Sequence, residues 1–559
     1  MVGMAFKWCL VLFAVLALQD PGVVKAETTE PSAAPAAAPQ PVRNVDKPAE
    51  KKFPILEYQV EGNTLLPVIE IEQAVTPFLG PDRGIRDVEA ARRELEKRYH
   101  DRGYQTVLVN IPPQQVSDGV VRLAVVEASV ERFEIRGSRY HSLEAIRETV
   151  PDLQPGVTPD FKQVQKELAQ VNHGSDLRVT PVLRASTTPG HVDVDLNVQD
   201  SLPLHATLEL NNRYSANTAH LRLAGEVSYD NLFQSGQSAS LQYQTAPEHP
   251  ADAKIWSLSY VIPVGAGPVV ALYAVRSDSN IAAVGSLSVI GKGDIYGLRF
   301  IEPLPTTRAN FFHNVTLGVD YKDFKQNVLL QGADAVASPV QYPPLTAGYS
   351  ATWYGPPGNT QHAGAAVTGE RTSTTLDLGA TFMIRALGGI DARQFAAKRA
   401  GADSSFFVLH SGLRRQQVLG GNWSLVGRLD GQLASGPLIS SEEYGAGGAD
   451  SVRGYVESER LGDDGVRGSL ELRTPQLFGT QRATADHSYL YVFADAARLR
   501  ILEPLPGQQA AFHLESIGLG AHFKRGALLA DVSGSKALSD GYVTRSGDQS
   551  VQFTTRYAW

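Results

Sequence analysis

The stretch GGADSVRGY, residues 447–455, decides how the rest of this sequence is interpreted. On either side of it, in 421–434 and 466–474, apolar and polar residues alternate. A period of two is typical of β-strands that have one apolar face. The stretch is therefore predicted to be a loop between two strands, with glycines that permit sharp turns. Its arginine, Arg453, is a strong hydrogen-bond donor that stays charged when buried.

The same alternation recurs from residue 201 to residue 559. Candidate strands are 204–214, 220–231, 237–246, 254–263, 269–277, 293–301, 309–324, 347–355, 372–385, 404–415, 421–434, 466–474, 486–497, 511–523, 527–535 and 550–559. Such strands keep one face in lipid and the other in water, and single-chain bacterial barrels have an even number of them. The predicted fold of 201–559 is a membrane all-β barrel of about sixteen antiparallel strands. The gaps Asn327–Thr346 and Leu387–Asp403 are predicted to be long polar loops outside the cell.

The composition argues against several classes of protein. The net charge is −8 with no basic block, so nucleic acid is not expected as a partner. After the N-terminus, no apolar run approaches the ~18 residues of a transmembrane helix. The sequence contains no GxxxxGK[ST] phosphate loop and no GxSxG nucleophile elbow, and its histidines lack metal-ligand spacing. We predict no catalytic residue, no metal site and no cofactor.

The N-terminal region has the features of an exported protein. Residues 1–26 are predicted to be a signal peptide, since Lys7 precedes a short apolar core and small residues precede the cleavage position. Cys9, the only cysteine of the sequence, lies in this segment, so the exported chain would form no disulfide. Residues 27–52 are rich in proline and alanine and are predicted to be an extended linker.

Two small α+β domains are predicted between the linker and the barrel. Residues 53–128 and 129–200 share the plan β-α-α-β-β. In the first, apolar residues recur at helical spacing over 88–99. In the second, Thr158 and Pro159 are expected to begin a helix, as its N-cap and first residue.

A sheet edge is predicted in the second domain. Pro181 lies within the candidate strand 177–185, and proline cannot donate to a β-ladder. An exposed edge can receive an extended partner chain by strand addition. Leu177, Val179 and Leu183 therefore mark a candidate docking edge, with an edge that is merely protected as the equal alternative.

The last candidate strand places aromatic residues on one face. Val551, Phe553, Tyr557 and Trp559 share this face. Aromatic residues at a strand end suit the interfacial girdle of a membrane barrel. The pattern resembles the C-terminal assembly signal of outer-membrane proteins, which implies that Phe553, Tyr557 and Trp559 guide barrel assembly.

The motif Val452-Arg453-Gly454-Tyr455 closely resembles the VRGY loop of the outer-membrane transporters of two-partner secretion (TpsB), which include haemolysin secretion/activation proteins. The two small domains resemble polypeptide-transport-associated (POTRA) domains. Phe493–Ala497 resembles the FxDxG strand motif of the family, with Ala497 in place of the glycine. The resemblance implies that the loop 436–465 folds back into the barrel lumen. The proline-rich linker departs from the N-terminal plug helix of many members.

The resemblance also implies a function. A TpsB-like pore would bind an unfolded exoprotein, an adhesin or a cytolysin, in the periplasm and translocate or also activate it without ATP. Its further partners would be outer-membrane lipid and, during biogenesis, the barrel-assembly machinery. One alternative is a BamA-like assembly factor, although such factors commonly carry more periplasmic repeats. Another is a passive porin, which would leave the two soluble domains without a purpose. A neighbouring gene for a very large, repetitive exported protein would favour the transporter.

The candidate strand 486–497 predicts a partner for Arg453. Leu490 and Val492 lie on one face and Asp495 on the other. Because a charge that faces lipid is costly, Asp495 is predicted to face the lumen. An arginine can hold a carboxylate there by two parallel hydrogen bonds.

Glu471 and Arg473 are expected to face inward on the neighbouring strand and to extend this network. The alternative is that Asp495 pairs with another lumen arginine, Arg428 or Arg473, while the loop stays outside the barrel.

Overall fold

The computed structural model describes residues 52–116, 118–172, 174, 176–265, 267–279, 281–284, 287–290, 292–325, 339–355, 371–385, 392–477 and 486–559. The predicted signal peptide and residues 27–51 of the predicted linker lie outside these residues. The chain divides into two compact units, Met1–Leu202 and Pro203–Trp559. None of the described helices is both long and apolar enough to cross a membrane.

The first repeat of the first unit packs helices on a small sheet. Its elements are β1 (Phe53–Ile55), β2 (Glu57–Glu61), α1 (Val68–Val75), β3 (Gly80–Arg83), α2 (Ile85–Arg102), β4 (Val107–Asn110) and β5 (Val120–Glu127). The sheet order is β2-β5-β4, and β1 pairs with β3. Val88, Ala91, Leu95 and Tyr99 of α2 are buried in the core, as their spacing predicts. Gly103 ends α2 with a φ of 119°, a conformation that favours glycine.

The second repeat has the same plan. Its elements are β6 (Ser129–Arg136), α3 (Leu143–Glu148), α4 (Phe161–Val171), β7 (Leu177–Ala185) and β8 (His191–Asp200), with the sheet order β6-β8-β7. The predicted start of α4 at Thr158 and Pro159 is wrong. Asp160 is the N-cap, and its Oδ1 accepts from the backbone N of Lys162 at 2.9 Å. The Thr158 hydroxyl instead donates to the carbonyl of Glu127 at 3.2 Å, in the first repeat.

The second unit is, within the described residues, a closed antiparallel barrel of sixteen strands, which confirms the predicted fold class. The strands are β9 (Leu204–Asn211), β10 (Arg222–Leu232), β11 (Gln237–Thr245), β12 (Lys254–Pro263), β13 (Val269–Ser277), β16 (Gly293–Pro303), β17 (Phe311–Phe324), β18 and β19 (Val340–Tyr342 and Leu345–Tyr354), β20 (Ser373–Met383), β21 (Phe406–Val418), β22 (Ser424–Ala434), β25 (Asp464–Arg473), β26 (His487–Arg500), β27 (Ala511–Arg525), β28 (Leu528–Ala537) and β29 (Gln549–Ala558). Because β18 and β19 both pair with β17, they form one interrupted strand.

Shorter elements connect the barrel strands. They are the hairpin β14 (Ile281–Val284) and β15 (Leu287–Ile290), the helix α5 (Ala392–Lys398), and the hairpin β23 (Tyr444–Ala446) and β24 (Arg460–Gly462). All of them lie at one end of the barrel, called here the far end. The near end is the one at which β9 begins and β29 finishes.

The strands alternate as their sequences predict. In β26, Leu490 and Val492 are about half exposed on the outer face, whereas Tyr491, Phe493 and Asp495 are buried inside. An apolar outer face and a polar inner face are what a lipid-embedded barrel requires.

Two segments predicted to be polar loops contain packed structure, and that part of the prediction is wrong. Within the gap Asn327–Thr346, β18 extends the wall, and its Tyr342 is fully buried. Within Leu387–Asp403, α5 buries Phe395. Residues 326–338 and 386–391 lie outside the described residues. The buried aromatic rings explain the difference. Each segment is polar on average, but its aromatic side chain contributes a large apolar area when it is buried.

Trp559 contributes to the closure of the barrel between β29 and β9. Its backbone N and O each hydrogen bond with Ala206 at 3.0 Å, and its indole is 62% exposed on the outer face. We expect deletion of Trp559 to lower the amount of folded barrel, because both hydrogen bonds and the interfacial ring are lost. Heat-modifiable mobility in electrophoresis measures the folded fraction. Unchanged barrel levels would show that this residue is dispensable for assembly.

Candidate functional site

The candidate site is built around residues 435–463, called here the lumen loop, which connect β22 to β25. Its arms pair as β23 and β24. Gly447, Gly448 and Gly454 have φ values of 111°, 104° and 98°. Residues with a Cβ rarely adopt these values, so the glycines of the motif are required for the loop to turn back on itself.

Arg453 at the tip of the loop lies against Asp495 of β26. Arg453 Nε donates to Asp495 Oδ2 and Nη2 to Oδ1, each at 2.8 Å, and the backbone N of Arg453 donates to Oδ2 at 3.0 Å. The Asp495 side chain is 0% exposed and that of Arg453 is 12% exposed. The guanidinium carbon lies 3.4 Å from the ring centre of Phe493. This two-pronged, stacked arrangement fixes the position of the arginine as well as its charge.

Glu471 and Arg473 complete a charge-balanced cluster. Glu471 Oε2 accepts from Arg453 Nη1 and Oε1 accepts from Arg473 Nε, both at 2.7 Å. Ser469 Oγ donates to Asp495 Oδ1 at 2.7 Å. Two arginines and two carboxylates therefore neutralise each other on the inner wall. The lumen loop therefore lies inside the barrel at this point. Asp495 pairs with Arg453, a residue that the alternative prediction placed outside the barrel.

Val452, Gly454 and Tyr455 pack the tip against the wall. Val452 and Tyr455 are buried in an apolar cluster with Ala446, Ala497, Leu499, Phe512, Leu514 and Ala537. The Tyr455 hydroxyl lies 2.8 Å from the carbonyl O of Ser539. A Cβ on Gly454 would lie 3.3 Å from Cβ of Ser535 on β28. Ala497, which replaces the glycine of the strand motif, is itself part of the packed surface.

The residues that tie the loop to neighbouring segments were not predicted from the sequence. Arg213, just after β9, donates to Glu457 Oε1 at 3.0 Å and forms an ion pair with Asp450 at 2.6 Å. Glu459 Oε1 accepts from the backbone N of Thr544 at 2.8 Å. Arg213 lies in the predicted strand 204–214, where the alternation gives its face but not its partner, and the acidic residues of the loop lie outside any periodic pattern. Only the acidic residues of the loop itself could have suggested such partners.

A second buried arginine, Arg399, holds the base of the lumen loop. Its Nη1 and Nη2 donate to the two carboxylate oxygens of Asp463 at 2.5 and 2.6 Å, and Nη1 donates to Glu443 at 2.8 Å. Asp463 is 0% exposed and also accepts from the backbone N of Leu438 and of Leu502, each at 2.7 Å. Burial raises the pKa of Glu443 to about 7. Asp463, which accepts from both Nη groups, is therefore the principal partner of Arg399.

An apolar cluster, called here the far-end seal, packs inside the barrel at the far end. Phe395 of α5, Tyr342 of β18, and Leu438 and Ile439 of the lumen loop pack on inward-facing wall residues. These wall residues are Ile255, Val275, Ile295, Phe324, Met383, Phe406 and Val408. The seal is thus made largely by connecting segments, while the strands form an unbroken ring.

The candidate docking edge stays a prediction, and one of its three positions is covered. β7 is an edge strand, but Leu177, Val179 and Leu183 pack into the core of their own repeat. On the side of β7 that faces away from β8, the Asn172 side chain takes both backbone hydrogen bonds of Val179. It accepts from Val179 N at 2.6 Å and donates to Val179 O at 2.9 Å. Pro181, two residues on and facing the same way, has no N–H. Among the described residues, the edge is open to strand addition only from Leu183 onward.

Comparisons with known families match both units. Residues 53–128 match the POTRA domain, ShlB-type, and residues 190–300 and 366–523 match the haemolysin secretion/activation protein ShlB/FhaC/HecB. The outer membrane transporter CdiB of Dickeya dadantii (strain 3937) is 22% identical over 181 residues, which are 32% of each chain. The heme/hemopexin transporter protein HuxB of Haemophilus influenzae (strain ATCC 51907 / DSM 11121 / KW20 / Rd) is 20% identical over 421 residues, 74% of this chain and 71% of that protein. The alignment thus spans about a third of the first relative and most of the second.

Solved structures share the architecture. CdiB from Escherichia coli superposes with a TM-score of 0.64 at 16% identity and covers 93% of both chains. BamA from Haemophilus ducreyi lacking POTRA domains 1–3 superposes with a TM-score of 0.52 at 14% identity, over 91% of this chain and 100% of that one. At these identities the likeness concerns the fold alone.

Proposed function

We propose that this chain, which belongs to the two-partner secretion transporters of the haemolysin secretion/activation (ShlB/FhaC/HecB) type, takes an unfolded exoprotein from the periplasm and passes it through its own barrel without ATP. The chain lies in the outer membrane with a periplasmic segment, and the family is one of transporters rather than enzymes. The near end of the barrel then faces the periplasm and the far end faces the outside.

The observation that carries this proposal is that connecting segments pack inside the barrel. The lumen loop and Phe395 of α5 lie against the inner wall, and two largely shielded arginines, Arg453 and Arg399, hold these segments. A lumen occupied in this way can open when those segments move, without any loss of wall hydrogen bonds. The energy of exoprotein folding outside the cell would give the transport its direction.

An assembly factor is the second candidate, because the seam between β29 and β9 is short. Five residue pairs join these strands, against nine between β28 and β29. Beyond the paired part, the Asn212 side chain bonds the β29 backbone at Val551 and Phe553. A short seam is the weakest line of a barrel, and its opening would expose a strand edge to another chain.

Deletion of residues 53–199 distinguishes a secretion transporter or an assembly factor, which would need the two repeats, from a passive pore, which would not. The deletion is expected to leave a heat-modifiable barrel that no longer secretes its partner exoprotein, because recognition is assigned to the two repeats. Immunoblotting of the culture medium and of the outer membrane measures both outcomes. Unimpaired secretion by the truncated chain would contradict the proposal. Loss of other outer-membrane barrels in place of the exoprotein would favour the assembly factor.

Crosslinking can locate the docking edge within the second repeat. With single cysteines along β7, we expect exoprotein crosslinks at Leu183 and Ala185 and few at Val179, whose outward backbone is occupied by Asn172. Strand addition needs unpaired N–H and C=O groups, which only the end of the strand offers. Crosslinks that peak at Val179, or that are absent from β7, would move the docking site elsewhere.

A further inference from the structure

Two arginines of the inner wall, Arg414 of β21 and Arg428 of β22, lie directly opposite each other across the strand pair. Both line a cavity of about 700 Å³ inside the barrel, and Arg428 also lines one of about 320 Å³ that borders Arg453. Like charges at opposite positions destabilise a strand pair. The arrangement therefore has a cost to stability that a bound anion would remove.

Neither guanidinium has a hydrogen-bond acceptor or a carboxylate at ion-pair distance within the part of the chain that the structure describes. Neighbouring arginines of the same wall are paired. Arg467 Nε lies 3.3 Å from Asp430, and Arg473 Nε lies 2.7 Å from Glu471. Glu471 already pairs with two arginines, since Arg453 also binds it at 2.7 Å, and it forms no ion pair with Arg414 or Arg428.

We propose that Arg414 and Arg428 form an anion site that binds carboxylate side chains of the translocating exoprotein. Two adjacent guanidinium groups present planar sets of N–H donors that fit carboxylates. Arg299, Arg453 and Arg467 of the same lumen each hold a carboxylate, which indicates the chemistry that the wall accommodates. The assignment rests on the proposed function and adds to it a contact between the wall and the transported chain.

The position of the pair agrees with this role. Arg414 lies four residues before the end of β21, and Arg428 four residues after the start of β22, so both are in the near half of the wall. In the proposed direction of transport, an extended chain reaches them before it reaches the far-end seal. Transient binding there would hold acidic segments in the lumen while the seal opens.

Binding of an oligo-aspartate peptide tests the site on the full chain in detergent. Fluorescence anisotropy of the labelled peptide gives its Kd. We expect R414Q/R428Q to weaken binding by about tenfold or more, since charge-assisted hydrogen bonds are lost. R299Q/R467Q is the matched control. It removes two positive charges from the same cavity, but those charges are already engaged by Asp320 and Asp430.

Each outcome decides the question. Weaker binding confined to R414Q/R428Q supports the site, whereas equal weakening in the control, undiminished binding by R414Q/R428Q, or no binding by the parent protein overturns it. Inorganic phosphate that displaces the peptide more strongly than glutamate does would overturn the carboxylate assignment. Heat-modifiable mobility verifies that each variant is folded. Peptide binding without exoprotein secretion would reject the proposed function and leave the anion site standing.

Discussion

Replacing Arg453 by alanine is expected to reduce secretion of the exoprotein by about tenfold or more, while the barrel still inserts into the outer membrane. The change removes both 2.8 Å side-chain hydrogen bonds to Asp495 and leaves that fully buried carboxylate without its counter-ion. Loss of one partner of a buried pair typically costs ~3–5 kcal/mol, which is enough to release a loop. Exoprotein in the medium, relative to heat-modifiable barrel in the membrane, measures the effect.

Two variants control this prediction. Arg453→Lys keeps the charge but not the two-pronged geometry, so an intermediate loss of secretion is expected. Arg276→Ala breaks an ion pair with Asp294 in which the arginine is 65% exposed, and it should leave secretion unchanged. Full secretion by Arg453→Ala would show that the contact with Asp495 is not needed for transport.

Replacing Asp463 by alanine is expected to destabilise the far end of the barrel by ~3–5 kcal/mol. Arg399 would keep only Glu443 as a carboxylate partner, and burial disfavours the charged form of that group. The backbone N–H groups of Leu438 and Leu502 would also lose their acceptor. The urea or temperature midpoint of the heat-modifiable form measures the change.

The adjacent aspartate provides the control. Asp464 accepts from the backbone N of Ala434 at 2.9 Å and pairs with Arg500, whose side chain is 62% exposed and can be solvated when its partner is lost, so Asp464→Ala should cost only about 1–2 kcal/mol. Equal destabilisation by the two variants would show that the contact between Asp463 and Arg399 contributes no more to stability than the contact between Asp464 and Arg500.

The barrel could be predicted from sequence because its side chains repeat with a period of two. This period assigned Leu490 to the outer face and Asp495 to the lumen, and the structure has both there. The partner of Asp495 did not follow from the period. It came from the resemblance of the VRGY motif to a known loop, since nothing in the spacing brings residues 453 and 495 together.

The far-end seal could not be predicted in the same way. Arg399 and Asp463 lie in connecting segments and Tyr342 in the short strand β18, and their contacts join positions that are far apart in the sequence. Such contacts depend on the closed ring of strands, which brings the connections together at one end. The part of the docking edge that Asn172 covers was missed for a related reason, because its amide reaches Val179 only after α4 and β7 have packed.

The most direct test of the account asks whether the lumen loop lies inside the barrel and whether Arg453 keeps it there. A cysteine at Val452 suits this test, because the side chain at this position is fully buried between the loop and the wall. The sole native cysteine, Cys9, lies in the predicted signal peptide. We expect a thiol-reactive maleimide to leave V452C largely unlabelled in intact cells, and labelling to rise strongly when Arg453→Ala is added, because the loop then leaves the wall. Ready labelling of V452C alone, or protection that Arg453→Ala leaves unchanged, would contradict the account.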